Sequence, residues 1–268
     1  MDDGSEAQKS VCVGPYGPHM PDEDSLLRSD DGTVLARLRL RDDDGERVAA
    51  GVRPEPGIPA ARVAAQALRD LAGTRLETPD DDLAAALVAR GVPLSRSATD
   101  LRHDLSGLPD PEPLPAGWAL AEAGWDDDLA AAAAAAYGPG HPDGGWTEND
   151  TKSVRGMFER SDPVPPLGSA SARLVGPDGR SAGHVLCAGP VPWTDYRCAW
   201  VLNIAVGPAA QGRGFGRVLL AHALRGTRAA GLPTLALSVV DGNPARRLYD
   251  AAGFQPVTRV LTLRLPAA

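Results

Sequence analysis

Apolar and polar positions change period repeatedly along this chain, and each change predicts an element. VLARLRLR, Val34 to Arg41, alternates as a half-buried strand does, DDDGE supplies a turn, and RVAAGV returns as the hairpin partner. Ala60 to Ala72 repeats its apolar residues at helical spacing. TRLET, near residues 74–78, is a short strand, and DDDLAAALVARG, Asp80 to Gly91, is a helix with an acidic first turn and a glycine stop. PLSRSATDLRHDL predicts one more strand. After residue 117 the pattern starts again with the strand WALAEAG, an alanine-rich helix from Leu129 to Tyr137 behind Asp126, Asp127 and Asp128, a loop through His141, Pro142, Gly144 and Gly145, and a short helix over Thr151 to Arg160. SASARLV and SAGHVLCAG flank a Gly-Pro-Asp-Gly turn as an antiparallel hairpin, and AWVLNIAV, Ala199 to Val206, follows as a strand. A glycine-rich turn then leads into a helix over Gly214 to Ala230. TLALSVV is a buried strand from Thr234 to Val240, Asn243 to Ala252 a short helix, and VTRVLTLRL the last strand. The order is that of a mixed α/β protein.

Residues 1–30 show no sustained period and are rich in Gly, Pro, Asp and Glu, which predicts a flexible leader. GLPDPEPLPAG, Gly107 to Gly117, resists helix and central-strand geometry through its prolines and is the best linker. The expected organisation is a leader over 1–30, a smaller α/β domain over 31–106, a linker over 107–117 and a second domain over 118–268. Residues 1–112 carry a formal balance of −9 and residues 113–268 one of +1, so the second part is the better host for an anionic ligand. The whole chain, at −8, has no broad cationic footprint, which argues against a nucleic-acid partner. Cys12, Cys187 and Cys198 show no Cys-x-x-Cys spacing, so neither a disulfide scaffold nor a zinc knuckle is expected, and no metal site. MDDGSEAQKS lacks the cationic and apolar character of an export signal, and the run from Leu129 to Tyr137 is far too short to span a bilayer. A cytoplasmic protein with no membrane partner is the expectation.

The sharpest local signal is VGPAAQGRGFGRVLL, Val206 to Leu220. Glycine lets backbone amides converge, and the new helix adds its positive end, so Gln211, Gly212, Arg213, Gly214, Phe215 and Gly216 could hold a pyrophosphate, with Arg217 flanking. The even spacing of Gly212, Gly214 and Gly216 fits neither the Gly-x-Gly-x-x-Gly dinucleotide pattern nor a phosphate loop with Gly-Lys-Ser/Thr. A purely structural turn is the competing reading.

Gln211-x-x-Gly-x-Gly, preceded by Val206-Gly-Pro208 and followed by VLLAHAL, resembles the acyl-CoA signature of the GCN5-related N-acetyltransferases (GNAT), and LSVVDGNPARRLYDAAGF, Leu237 to Phe254, resembles their later strand-helix motif. The resemblance covers about residues 116–268. It implies an acyl-CoA N-acyltransferase fold, a strongly twisted mixed sheet in which two central strands splay apart, with acetyl-CoA as co-substrate in the opening. By position, Gln211 to Gly216 would cradle the pyrophosphate, Ile204, Ala205 and Val206 would face the pantetheine arm, Asn243 would lie near that arm, and Tyr249 would protonate the thiolate leaving group. Many relatives carry a carboxylate base where Asn203 stands, and a neutral amide cannot take a proton, which leaves Asp195, His184, a water path at Tyr196 or an already neutral amine. Asn203 would then position water or substrate.

Trp193, Tyr196 and Trp200 form either an acceptor wall or sheet anchors. Trp146 and Glu148 occupy the part where the family admits its acceptor. Cys187 and Cys198 lack activating neighbours. Glu77 to Leu94 faintly echoes the later motif, with Leu87 where Tyr249 stands, which suggests a tandem arrangement with a degenerate N-terminal acetyltransferase-like domain, alongside the alternative of a generic helper domain. The resemblance implies an N-acetyltransferase acting by direct attack of a primary amine, from a small molecule or a protein N-terminus. The alternative is a non-catalytic acyl-CoA-binding or sensing module, and the sequence leaves a homodimer open.

Overall fold

A computed structural model describes residues 23–267 except 44, 111, 139, 162, 163 and 195, and these residues gather into two units, 23–100 with 256–267, and 101–255. The first unit opens with an antiparallel meander, β1 (Glu23–Arg28), β2 (Val34–Asp43) and β3 (Glu46–Pro54). Helix α1 (Ala60–Asp70) crosses over to β4 (Arg75–Thr78), which runs parallel to β3 with Val48 opposite Arg75. Helix α2 (Asp81–Val88) starts where the Asp80 carboxylate accepts the Leu83 N–H at 2.7 Å, and β5 (Leu94–His103) follows. Leu35, Val63, Leu76, Leu83 and Leu87 are fully buried in this unit's core. Arg41 and Glu77, each 6% exposed, form a buried ion pair at 3.1 Å, and Arg75 reaches the same carboxylate at 3.3 Å.

Two sequence expectations change here. Residues 1–22 of the expected leader lie outside the described residues, but 23–28 form β1, paired along β2 from Glu23 opposite Leu40 to Arg28 opposite Val34. Its six residues hold only two apolar positions, Leu26 and Leu27, too few to display a period of two. The last strand, expected to complete the second domain, is β11 (Gln255–Arg264), whose residues 261–264 pair antiparallel with β4. Leu261, Leu263 and Leu265 are buried in the first unit's core, so residues 256–267 group with it.

The second unit contains β6 (Ala119–Glu122), α3 (Asp127–Ala136), α4 (Glu148–Arg160), β7 (Ala172–Val175), β8 (Ser181–Ala188), β9 (Ala199–Val206), α5 (Phe215–Ala229), β10 (Leu235–Val240) and α6 (Arg246–Ala251). Its strands lie in the order β10-β9-β8-β7-β6, antiparallel except for β9 with β10. Phe215, Leu219, Leu220, Ala223 and Leu224 of α5 share a core with Val185, Cys187, Val201 and Leu237, while Leu186 packs with Leu129 of α3 and Val154 of α4. Thr147 and Asp150 cap each other reciprocally, which starts α4 three residues earlier than the expected Thr151. A Cβ at Gly226 would stand 1.9 Å from the Ser169 carbonyl oxygen, so only glycine lets α5 approach that segment. The described part of the Pro-rich stretch 107–117 has no helix or strand, and it is tied to α5 by Glu112 with Arg217 at 2.8 Å and by Arg225 on the Pro109 carbonyl. No helix among the described residues is long and apolar enough to cross a membrane.

Candidate active site

The site is a fork. β9 and β10 pair only near their first residues, with Ala199 opposite Leu235 and Trp200 opposite Ala236, although β9 continues to Val206 and β10 to Val240. A bulge bends β9 on its other edge, where Asn203 faces Leu186 and Val201 faces Cys187. The Gly207 N–H donates to Ala182 of the β8 side at 2.8 Å, and Ala205 lies opposite His184. Peptide groups alternate along a strand, so Ala205 also faces β8, while Ile204 and Val206 present theirs to the fork. Of the three residues expected to face the pantetheine arm, Ala205 thus turns its peptide away. At the fork edge the Ile204 carbonyl accepts from the Tyr137 hydroxyl at 3.4 Å, and the Val206 carbonyl from Gln211 Nε2 at 2.9 Å.

The glycine-rich turn closes one end of this opening. Gly212 and Gly214 have φ of +74° and +82°, a region costly for other residues, and Gly214 is the N-cap of α5 with no side chain capping it. The first N–H groups of a helix have no intrahelical acceptor, and those of Gly212 and Gly214 show no backbone acceptor among the described residues. These donors and the dipole of α5, 15 residues long, fit a phosphate group. Gly216 has a separate reason to be glycine, since a Cβ there would press on Leu248 of α6 at 3.3 Å. Phe215 is buried in the core, which leaves only its backbone for a ligand. Arg213 stacks its guanidinium over Trp118 at 4.9 Å and Phe215 at 5.2 Å.

Beside the fork lies a hydrogen-bonded polar chain. Asn203, buried, donates from Nδ2 to the Tyr137 oxygen at 2.9 Å, and its Oδ1 meets His184 Nε2. An amide oxygen can only accept, so His184 carries its proton on Nε2. Burial pushes the His184 pKa down to about 4, so the ring is neutral, and its Nδ1 has no partner among the described residues. Asn243 accepts the Ala245 N–H at 2.8 Å as α6 begins and donates to the Asp143 carboxylate at 2.5 Å. Tyr249 is buried in the core with its ring edge-to-face with Phe254 at 6.0 Å.

Other expected residues fall elsewhere. Asp195 lies outside the described residues. Glu148 is 83% exposed and pairs with Lys152 at 3.0 Å, so it is a solvated helix start rather than a pocket group. Trp193 and Trp200 are buried edge-to-face at 6.3 Å, anchoring the sheet, and Arg102 lies over the Tyr196 ring at 5.2 Å. Burial pushes the Cys187 and Cys198 thiols up, away from nucleophilic thiolate chemistry. Trp146 does join the fork cluster, 5.9 Å from the Tyr137 ring, and donates to Thr151 at 2.7 Å.

Sequence reasoning passed over Tyr137, His141 and Asp143. The His141 ring meets Tyr137 edge-on at 4.6 Å, and its Nδ1 accepts the Asp143 N–H at 3.2 Å and lies 3.6 Å from the Asp143 carboxylate. The available signal was a His and an Asp two positions apart in an otherwise small-residue loop.

Residues 146–254 match the model of the acetyltransferase (GNAT) family. A crystal structure of a GCN5-related N-acetyltransferase from Sphaerobacter thermophilus superposes with a TM-score of 0.62 over 94% of this chain and 84% of that one, at 19% identity. A tandem GNAT protein from the clavulanic acid biosynthesis pathway gives 0.53 over 92% and 83%, at 21% identity. The chain therefore has the mixed α/β acyltransferase fold with its twisted mixed sheet. It is 32% identical to a mycothiol acetyltransferase of Actinosynnema mirum over 85% of this chain and 74% of that protein, and 42% identical to a [ribosomal protein bS18]-alanine N-acetyltransferase of Haemophilus influenzae over 22% and 40%. The chain belongs to the GNAT family, whose activity is acetyl transfer to an amine.

Proposed function

We propose that this protein transfers acetyl from acetyl-CoA to the primary amine of a small molecule by direct attack. The observation that carries this is the fork of β9 and β10 ending at the amide-lined turn of Gly212 to Gly216. The turn's N–H groups hold the pyrophosphate, and the Ile204 and Val206 peptides hold the pantetheine arm. The amine nitrogen bonds to the acetyl carbon, the carbon–sulfur bond breaks, and Tyr249 gives its proton to the sulfur. Asn203 keeps Tyr137 in place at the fork.

A small-molecule acceptor is favoured over a protein N-terminus by how far each likeness extends. The mycothiol acetyltransferase match runs through both units, whereas the match to the enzyme acting on ribosomal protein bS18 covers 59 residues. A thiol-cofactor precursor of the mycothiol type is the acceptor we infer. We also infer that residues 31–106 are a degenerate acetyltransferase-like domain, joined through 107–117 to an active one beginning at 118. Support comes from the repeated order, β3-α1-β4-α2-β5 and then β9-α5-β10-α6-β11. The connection before α1 has no counterpart of the glycine turn, and buried Leu87 stands where Tyr249 does.

Calorimetry with acetyl-CoA and CoA, followed by mass detection of acetylated glycinamide, spermidine, an alanine-terminated peptide and the desacetyl form of mycothiol, tests the reading. CoA binding with acetylation of a small amine is expected. No CoA binding by folded protein overturns it. Binding without transfer to any amine favours a sensing module, the second reading, which rests on the amide of Asn203 at a position where many relatives carry a carboxylate.

A further inference from the structure

We propose that His141, backed by Asp143, is the catalytic base that takes the acceptor amine's proton; this rests on the acetyltransferase reading above. As the nitrogen bonds to the acetyl carbon it must lose a proton, and the groups nearest β9 cannot receive it. Asn203 is an amide, and His184 is sealed in the interior with its Nε2–H committed to Asn203. Tyr249 has a proton to give.

The loop between α3 and α4 bridges both arms of the fork. At one end Tyr137 touches the β9 arm, through the Ile204 carbonyl at 3.4 Å and Asn203 at 2.9 Å. At the other, Asp143 accepts at 2.5 Å from Asn243, three residues beyond β10. His141 sits between them, its ring 4.6 Å from that of Tyr137 and Nδ1 3.6 Å from the Asp143 carboxylate. Contacts of its two neighbours, Tyr137 to one arm and Asp143 to the other, therefore hold the loop segment that carries this imidazole against both sides of the opening. The backbone holds it there. The His141 N–H donates to the Gly138 carbonyl at 3.1 Å, Gly144 N–H to the His141 carbonyl at 2.8 Å, and Trp146 N–H to the Tyr137 carbonyl at 3.1 Å. The side chain is one-quarter exposed, so an amine entering from solvent can reach it.

The proton balance closes. His141 takes the proton at Nε2 as the nitrogen–carbon bond forms, from the tautomer whose proton sits on Nδ1; that tautomer gives up the Asp143 N–H, which Nδ1 accepts at 3.2 Å, and turns its proton toward the Asp143 carboxylate 3.6 Å away. The carbon–sulfur bond then breaks, Tyr249 protonates the sulfur, and His141 returns its proton to solvent while Tyr249 regains one. Asn243 acts as a positioning residue, because its amide fixes the carboxylate behind the ring.

His141→Gln keeps a side chain of similar reach without basicity, and Asp143→Asn keeps an acceptor for Asn243 without charge. In the full chain, with whichever of the four amines the wild type acetylates fastest, His141→Gln is expected to lower kcat roughly 100-fold, the scale of general-base catalysis. CoA affinity should stay within twofold by calorimetry. Asp143→Asn should lose a smaller factor, and imidazole added to His141→Ala should restore part of the rate, which a merely structural histidine would not allow. Wild-type turnover retained within threefold in His141→Gln overturns the assignment alone. So does a loss confined to the amine KM, or a loss of CoA affinity in step with the rate, because either makes His141 a binding or loop-holding residue. Absence of turnover by the wild type with all four amines overturns the acetyltransferase reading and this role with it.

Discussion

Mild acid should destabilise this protein through His184. The imidazole is fully buried in β8, and burial holds its pKa at about 4, against 6.5 for the free side chain. Asn203 and Asp126 pull the other way without offsetting the burial. In the unfolded chain the ring takes a proton near 6.5, while in the native state it stays neutral until about 4. Between these values the unfolded state binds a proton that the native state refuses. The stability contribution is thus complete above about 6.5, falls as the pH drops, and is spent near 4. A gap of two to three units at about 1.4 kcal/mol per unit amounts to about 3 kcal/mol. His184→Gln can still donate to Asn203 but cannot titrate. Urea unfolding of both proteins, stepped from neutral pH to about 4, gives a difference from which the carboxylates cancel, and so does His222, whose pKa burial also lowers. The difference should move in the variant's favour by about 1 kcal/mol per unit below 6.5. A difference that stays flat over that range would refute the burial argument.

Two further substitutions separate chemistry from packing. Tyr249→Phe keeps the ring against Phe254 and removes the acid, so steady-state kinetics should show kcat down by roughly 10- to 100-fold with calorimetric CoA affinity unchanged; an unaltered kcat would remove Tyr249 from the mechanism. Gly226→Ala drives a methyl into the Ser169 carbonyl, against backbone that has no side chain to yield, and should cost about 3 kcal/mol or more in urea unfolding. A loss below about 0.5 kcal/mol would mean that α5 does not lie that close.

The elements were legible because their signals are local. Asp80 and Asp126 announce α2 and α3 and cap them at the Leu83 and Leu129 N–H groups, at 2.7 and 2.5 Å. Gly212 and Gly214 were legible for a similar reason, since positive φ constrains the residue type on the spot. The fate of β11 was not, because alternation specifies which face of a strand is buried and says nothing of the neighbour it joins. Arg213, expected beside the pyrophosphate, also stacks over Trp118, a neighbour far away in sequence that the glycine pattern does not announce. The His141–Asp143 pair lay hidden for the same reason, because its meaning depends on Ile204 and Asn243, which only the fold brings near.

That dependence also explains the amide at position 203. A carboxylate there would sit against buried His184 with little water to screen it, and opposite charges in that setting favour the ionised pair. Such a carboxylate would be held by an imidazolium and unable to serve an incoming amine, and it would lose the N–H that Asn203 donates to Tyr137. Asn203→Asp should therefore fail to create a working base. Transfer at neutral pH should fall, and the acid-linked loss of stability assigned to His184 should shrink, because the ring would then hold its proton in the native state as well. An Asn203→Asp protein faster than the wild type at neutral pH would return the base to β9 and take it from the loop.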